Sequence, residues 1–241
     1  MQLLRSLLFT SFFFGSTLIY SILVVLASGL SDERRFAIAH HWSRTQLWML
    51  KTVCGLRYQV EGREHIPAQG CHVSMWKHSS TWETIAQASL LPPQSWVLKR
   101  ELMWIPIVGW ALGRLKPIAI DRKAVLAAAN QIVAVGKQRL ADGLWVLIFP
   151  EGTRVPAGER RRYGASGALL ASQAGCQILP VAHNAGYFWP RRGWLKKPGI
   201  ITVRFGPPID ASGRDPRELN REVQAWIEAA LDDMPKPGQA V

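Results

Sequence analysis

No charged side chain occurs between Ser6 and Ser31. That gap excludes an ordinary surface helix, which carries charge on its outer face. As a helix, the run from Leu7 to Leu30 reaches ~36 Å at 1.5 Å per residue, enough for a hydrocarbon core of ~30 Å. Cysteine is scarce as well. Cys54, Cys71 and Cys176 are odd in number and lack paired spacing, which suggests neither a disulfide framework nor a zinc site and favours a reducing compartment. Internal repeats, a Gly-rich P-loop, a dinucleotide fingerprint and zinc-finger or RNP-type signatures are all missing, so the sequence offers no recognised means of reading nucleic acid. Acids are few: 17 Asp and Glu face 29 Lys and Arg, a net charge of +12.

What is present points to a membrane surface. Val25-Leu26-Ala27 has the small-residue pattern of a signal cleavage site and Arg5 supplies a minimal positive start, yet the apolar run exceeds the usual ~7 to 15 residues of a signal core. The segment therefore reads as a retained anchor, either a single crossing or a half-inserted helical hairpin. Arg5 on one side and Arg34 and Arg35 on the other, diluted by Asp32 and Glu33, set no orientation. From Glu33 to Cys54, Phe36, Trp42, Trp48 and Leu50 are interleaved with Arg34, Arg35, His40, His41, Arg44 and Lys51. This mixture suits the headgroup zone, or equally a helix packed on the domain. The basic excess is concentrated further on. Between Arg154 and Arg204 nine cations (Arg154, Arg160, Arg161, Arg162, Arg191, Arg192, Lys196, Lys197 and Arg204) stand against one acid, Glu159. Such a surface attracts a polyanion, and with an apolar anchor on the same chain lipid is the most economical partner.

The remainder alternates strands and helices. Strands are expected at 56–60, 71–75, 96–98, 118–120, 144–149, 178–182 and 200–205, and helices at 81–90, 123–140 and 166–174. Leu144 to Phe149 is continuously apolar, as in a strand buried on both faces. Asp215 as N-cap, Pro216 at the first helical position and Glu218 start a last helix that keeps Leu219, Val223, Trp226, Ile227 and Ala230 on one side. This pattern implies an α/β fold, a mostly parallel sheet flanked by helices, preceded by a membrane-associated helical segment. The expected organisation is that segment over 1–54, the α/β domain over 55–233 and a flexible tail over 234–241.

Two segments place reactive residues directly after a strand, where parallel sheets bind ligands. The first is His78-Ser79-Ser80-Thr81-Trp82-Glu83. A neutral imidazole removes a proton from an alcohol, and a carboxylate fixes its tautomer. Five residues on a regular helix turn through ~500°, so the two side chains meet only if His78 lies in a loop and Glu83 in the first turn. Ser80 as N-cap with Glu83 three residues on is also a plain capping box. The second is Phe149-Pro150-Glu151-Gly152-Thr153-Arg154, in which Gly152 permits a tight turn with exposed N–H groups and Arg154 offers a planar fork to phosphate. A simple turn with a solvated arginine fits these residues equally well.

Together, His-x4-Glu and, about 70 residues later, Phe-Pro-Glu-Gly-Thr-Arg resemble the glycerolipid acyltransferase family, in particular its 1-acyl-glycerol-3-phosphate acyltransferases. Lys99-Arg100-Glu101-Leu102 with Pro106 and Gly109, followed by Ile120-Asp121-Arg122, is similar to the family's second block, and Ile178-Leu179-Pro180-Val181 to its fourth. The resemblance implies that His78 is the general base and Glu83 its orienting carboxylate. It implies that Arg154, with Gly152 and Thr153, holds the acceptor phosphate, assisted by Arg122 and Lys99, that Glu151 braces the loop, and that Pro180 shapes the acyl or acceptor site. Acyl-CoA or acyl-carrier protein would be the donor, lysophosphatidic acid the acceptor, and transfer direct, without metal, cofactor or acyl-enzyme. The family usually has Asp at position 83, commonly Asn at 77 and an aromatic at 119, where this chain has Glu83, Lys77 and Ala119. Backbone N–H groups near Ser79 or Gly152 are the candidate oxyanion donors. The expected location is a membrane, at the cytoplasmic face of the inner membrane, with no nucleic-acid partner.

Overall fold

The computed structural model describes residues 1–236. It begins with two helices, α1 (Gln2–Leu26) and α2 (Asp32–Met49), the second ending in a π-helical turn over Leu50–Cys54. The α/β domain then runs β1 (Leu56–Glu61), β2 (Val73–Trp76), α3 (Trp82–Leu90), β3 (Gln94–Lys99), α4 (Val108–Arg114), β4 (Ile118–Ile120), α5 (Val125–Ala141) and β5 (Trp145–Ile148). It continues through α6 (Ser166–Ala174), β6 (Gln177–His183), β7 (Gly199–Phe205), β8 (Ile209–Asp210) and α7 (Pro216–Asp232). Helix α4 and strand β8 lie in stretches where no element was expected.

The strands form one sheet in the order β1-β7-β6-β2-β5-β3-β4, with β8 beside β6. All pairings are parallel except two. Strand β6 pairs antiparallel with β8 at its start and with β7 at its end, so one edge of β6 serves two returning strands in succession. The carboxyl ends of β2, β3, β4, β5 and β6 consequently share one edge of the sheet.

The central strands are buried on both faces, which is why 144–149 reads as an unbroken apolar run. Val73, Met75, Val146 and Ile148 pack on the side covered by α5, α6 and α7. Trp76, Trp145, Leu147, Leu179 and Val181 pack on the other, against Trp82, Ile85, Leu47 and Phe9. Helix α7 closes the first side as its pattern requires: the Asp215 carboxylate accepts the N–H groups of Arg217 and Glu218, and Leu219, Val223 and Ile227 are fully buried.

Helix α1 lies along the domain rather than projecting from it. At one end the Gln2 side chain donates to the carbonyls of Cys54 and Lys196; in the middle Gln46 of α2 donates to Ser16; at the other end Val24 packs near Phe36, Ala111 and Leu115. The opposite face, including Leu4, Leu8, Phe14, Ile19 and Leu26, is exposed and apolar apart from Arg5 and Ser11 in its first half. Of the tail expected over 234–241, Met234 is buried in the core and the Pro235 carbonyl accepts from Asn184, so these residues are packed; residues 237–241 lie outside the described residues.

Candidate active site

The turn between β2 and α3 brings the first motif together. His78 sits in the loop and Glu83 in the first turn of α3, and the His78 Nδ1 lies 2.9 Å from Glu83 Oε1. The same oxygen accepts the backbone N–H groups of Ser79 at 3.0 Å and Ser80 at 2.8 Å. The N-cap of α3 is Thr81, one residue past Ser80, and the reach-back of the Glu83 carboxylate to the Ser79 and Ser80 N–H groups is what delivers the charge to the imidazole. Ser80 secures the turn, its hydroxyl accepting from Trp82 N–H and donating to the Trp189 carbonyl.

The electrostatics favour a base. Burial pushes the Glu83 carboxyl up, but His183, His78 and the Ser80 N–H together hold it below the usual carboxylate range, so it is ionised and only accepts. The proton of a neutral His78 therefore resides on Nδ1, and Nε2 is left with a free lone pair. Burial holds the His78 imidazole below its ordinary pKa; Glu83 opposes the shift, while Arg154 and Arg122 add to it. Phe149 stacks on the ring at 3.9 Å between centroids and fixes its plane.

The second motif clamps the first. Glu151 Oε2 accepts the His78 backbone N–H at 2.7 Å, and the His78 carbonyl accepts Val155 N–H at 2.8 Å. The other Glu151 oxygen lies 2.7 Å from Lys77 Nζ, which also pairs with Glu228 at 3.1 Å. Gly152 has φ = 68°, a conformation that favours glycine, and its N–H closes the turn onto the Phe149 carbonyl. With that bond and the two that Glu83 takes from Ser79 and Ser80, the N–H groups of Ser79, Ser80 and Gly152 are all engaged within the protein.

Around the imidazole stand the cations. Arg154 and Arg122 both act on His78 electrostatically, and on one another. The Arg154 Nε is buried without a hydrogen-bond partner among the described residues. Thr153, half-buried, follows Gly152 on the rim of this loop. Lys99 ends β3 opposite Ile120 on the same sheet edge, with its ammonium 3.1 Å from Glu101. Pro180 lies inside β6, paired with Met75, and its carbonyl accepts from Gly206.

Three residues of the site were given no role from the sequence. Lys77 anchors Glu151, and Phe149 stacks on the His78 imidazole. His183 ends β6 with its Nε2 3.8 Å from Glu83 Oε2 and 2.9 Å from the Lys77 carbonyl. Its position at a strand's carboxyl end is the same signal that drew attention to His78.

An acyltransferase family model matches residues 57–184, a span that contains the dyad, the arginine loop and β6. The chain is 42% identical over 239 residues to the 1-acyl-sn-glycerol-3-phosphate acyltransferase of Pseudomonas aeruginosa, covering 97% of this chain and 92% of that one. It is 29% identical over 178 residues to the human 1-acyl-sn-glycerol-3-phosphate acyltransferase alpha, covering 73% of this chain and 63% of the other. The crystal structure of the 1-acyl-sn-glycerophosphate acyltransferase from Thermotoga maritima superposes with a TM-score of 0.80 across 97% of both chains, at 23% identity, and shows the shared fold. A matched segment that spans His78, Glu83 and the Glu151-to-Arg154 loop, and a relative aligned along nearly the whole length, lead to one conclusion: this chain belongs to the acyltransferase family.

Proposed function

We propose that the protein transfers a fatty acyl group from a thioester, acyl-CoA or acyl-carrier protein, to the free hydroxyl of 1-acyl-glycerol-3-phosphate, giving phosphatidic acid for phospholipid synthesis. The observation that carries this reading is the His78 imidazole, with Nδ1 committed to Glu83 and Nε2 free, in the field of two arginines. Nε2 takes the hydroxyl proton as the oxygen attacks the thioester carbonyl. The C–O bond forms, the C–S bond breaks, and the imidazolium returns the proton to the departing thiolate. Glu83 stabilises the imidazolium in between. Arg154 and Arg122 hold the acceptor phosphate, and the reaction draws on no metal or cofactor, because a thioester is already activated.

An apolar cavity of about 240 Å³ supports the acyl assignment. It lies between α1, α2, α4 and the sheet, lined by Val24, Trp42, Trp96, Leu98, Ala111 and Phe149 among others. Phe149 is also the ring stacked on His78, so the cavity ends one side chain from the reacting atoms.

The membrane supplies the acceptor. With both ends of α1 pinned to the domain, its bare apolar face suits burial in the interfacial plane of a bilayer, as a monotopic attachment at the cytoplasmic face of the inner membrane. Membrane fractionation with protease accessibility tests that placement. The reaction is tested with a panel of acceptors and one labelled acyl-CoA: 1-acyl-glycerol-3-phosphate is expected to give the highest kcat/KM. Equal turnover of a lysolipid without a phosphomonoester would overturn the acceptor assignment.

A further inference from the structure

Beside Arg154, a second crevice of about 440 Å³ opens between the first half of α1 and the loop from Trp189 to Lys196. Phe9, Phe13 and Phe14 on α1 form an aromatic wall. The facing loop interleaves Trp189 and Trp194 with Arg191, Arg192 and Lys196, Arg154 adds a fourth cation, and no carboxylate lines the crevice. The loop is built into the active site. The Arg191 guanidinium donates to the Arg154 carbonyl at 3.2 Å, and Ser80, two residues past the base, donates to the Trp189 carbonyl.

Lys196 makes the crevice electrostatically unusual. Its residue is 2% exposed, and Nζ reaches Thr10 Oγ1 and the carbonyls of Ser6 and Trp194, 4.9 Å from the Trp189 ring centre. Among the described residues it forms no ion pair. A buried cation without a counter-ion is costly, and an anion held nearby offsets that cost. Burial lowers the Lys196 pKa, as expected of an ammonium that lacks one.

We infer that this crevice binds the phosphate headgroup of an anionic glycerophospholipid of the bilayer. Its chains run along the exposed apolar face of α1, and its phosphate sits between Arg191, Arg192 and Lys196. Charge complementarity selects an anion, and the continuity of the aromatic wall with the Leu4, Leu8 and Phe14 face selects one that carries hydrocarbon. Trp194, 67% exposed at the mouth, suits the headgroup level. The site rests on the acyltransferase reading only for its purpose, which is to seat the enzyme on anionic membrane with Arg154 presented to arriving acceptor.

The experiment is co-sedimentation of the full chain with phosphatidylcholine vesicles and with the same vesicles carrying phosphatidylglycerol. Wild type should partition more strongly onto the anionic vesicles. The pair Arg191→Gln and Arg192→Gln should lose about 30-fold in that partition, the ~2 kcal/mol expected for two headgroup cations, with binding to phosphatidylcholine unchanged. The exposed pair Arg161→Gln and Arg162→Gln should keep most of it. No loss in the first pair, or an equal loss in both, overturns the proposal by showing that no crevice is read. Displacement of the vesicles by coenzyme A, or a raised KM for the acyl donor in the first pair, also overturns it, because the occupant would then be a nucleotide. Vesicle binding needs no turnover, so failure of the proposed reaction leaves this readout intact, and failure here leaves that reaction untouched.

Discussion

Glu151 holds the backbone N–H of His78 at 2.7 Å, across 73 residues of sequence. The arginine loop and the His78 backbone are thus tied together, with the Lys77 ammonium pairing with the same carboxylate. Glu151→Gln keeps an acceptor for His78 but sets an amide donor against Lys77. We expect kcat to fall more than KM rises, with a loss of about 3 kcal/mol in stability; this is the low end for stripping one partner from a buried pair, since Glu228 still faces Lys77. Steady-state kinetics beside denaturant unfolding measures both, and an unchanged kcat would remove Glu151 from the bracing role.

The state of His78 predicts two different pH profiles. Its folded pKa lies below the ordinary imidazole value, so the acid limb of kcat/KM, which reports the free enzyme, falls below about pH 6.5. Arg154 and Arg122 contribute to that depression, and a bound phosphate dianion offsets their charge. The acid limb of kcat, which reports the substrate complex, therefore lies at higher pH than that of kcat/KM. Glu83 acts in the opposite direction, so Glu83→Gln moves the limb still lower and reduces kcat by about two to four orders of magnitude. A limb that rises in Glu83→Gln contradicts the dyad.

Much of this was legible in the sequence because it is local. The two-sided burial of 145–148, the cap of α7 and the strand-end placement of His78 and Glu151 follow from runs, spacings and turn chemistry within a few residues. The dyad could not be decided from spacing, since that depends on where the helix begins: Thr81 and Ser80 hold the non-helical turn that folds Glu83 back on His78. The nonlocal features were hidden. Lys77 and Glu228 meet across 151 residues, and His183 reaches the Lys77 carbonyl across 106. The antiparallel return of β7 and β8 onto β6 also depends on the assembled chain.

For the acceptor, Arg154→Lys replaces a fork with a point charge and leaves a phosphate oxygen without its second donor. KM for 1-acyl-glycerol-3-phosphate should rise about tenfold or more, with a smaller change in kcat, in line with ~1.5 to 3 kcal/mol for a hydrogen bond to a charged group. Initial-rate kinetics with the donor saturating gives the answer, and an unaltered KM takes Arg154 out of the phosphate site.

The cavity makes a prediction about chain length. Ala111 lines it and is 5% exposed, so Ala111→Phe fills space without displacing a larger side chain. Comparing a series of acyl donors, kcat/KM should drop for long chains and hold for short ones. A uniform drop across the series would mean that the acyl group lies elsewhere.

The central claim is that His78 Nε2 takes the acceptor's proton, and it is tested most directly by the turnover of His78→Ala with labelled acyl-CoA and 1-acyl-glycerol-3-phosphate in vesicles. The prediction is a folded protein that still sediments with the vesicles and forms phosphatidic acid at least a hundredfold more slowly, on the order of the ~10² to 10⁴ that general acid–base catalysis supplies. Turnover near the wild-type rate by that variant would contradict the account.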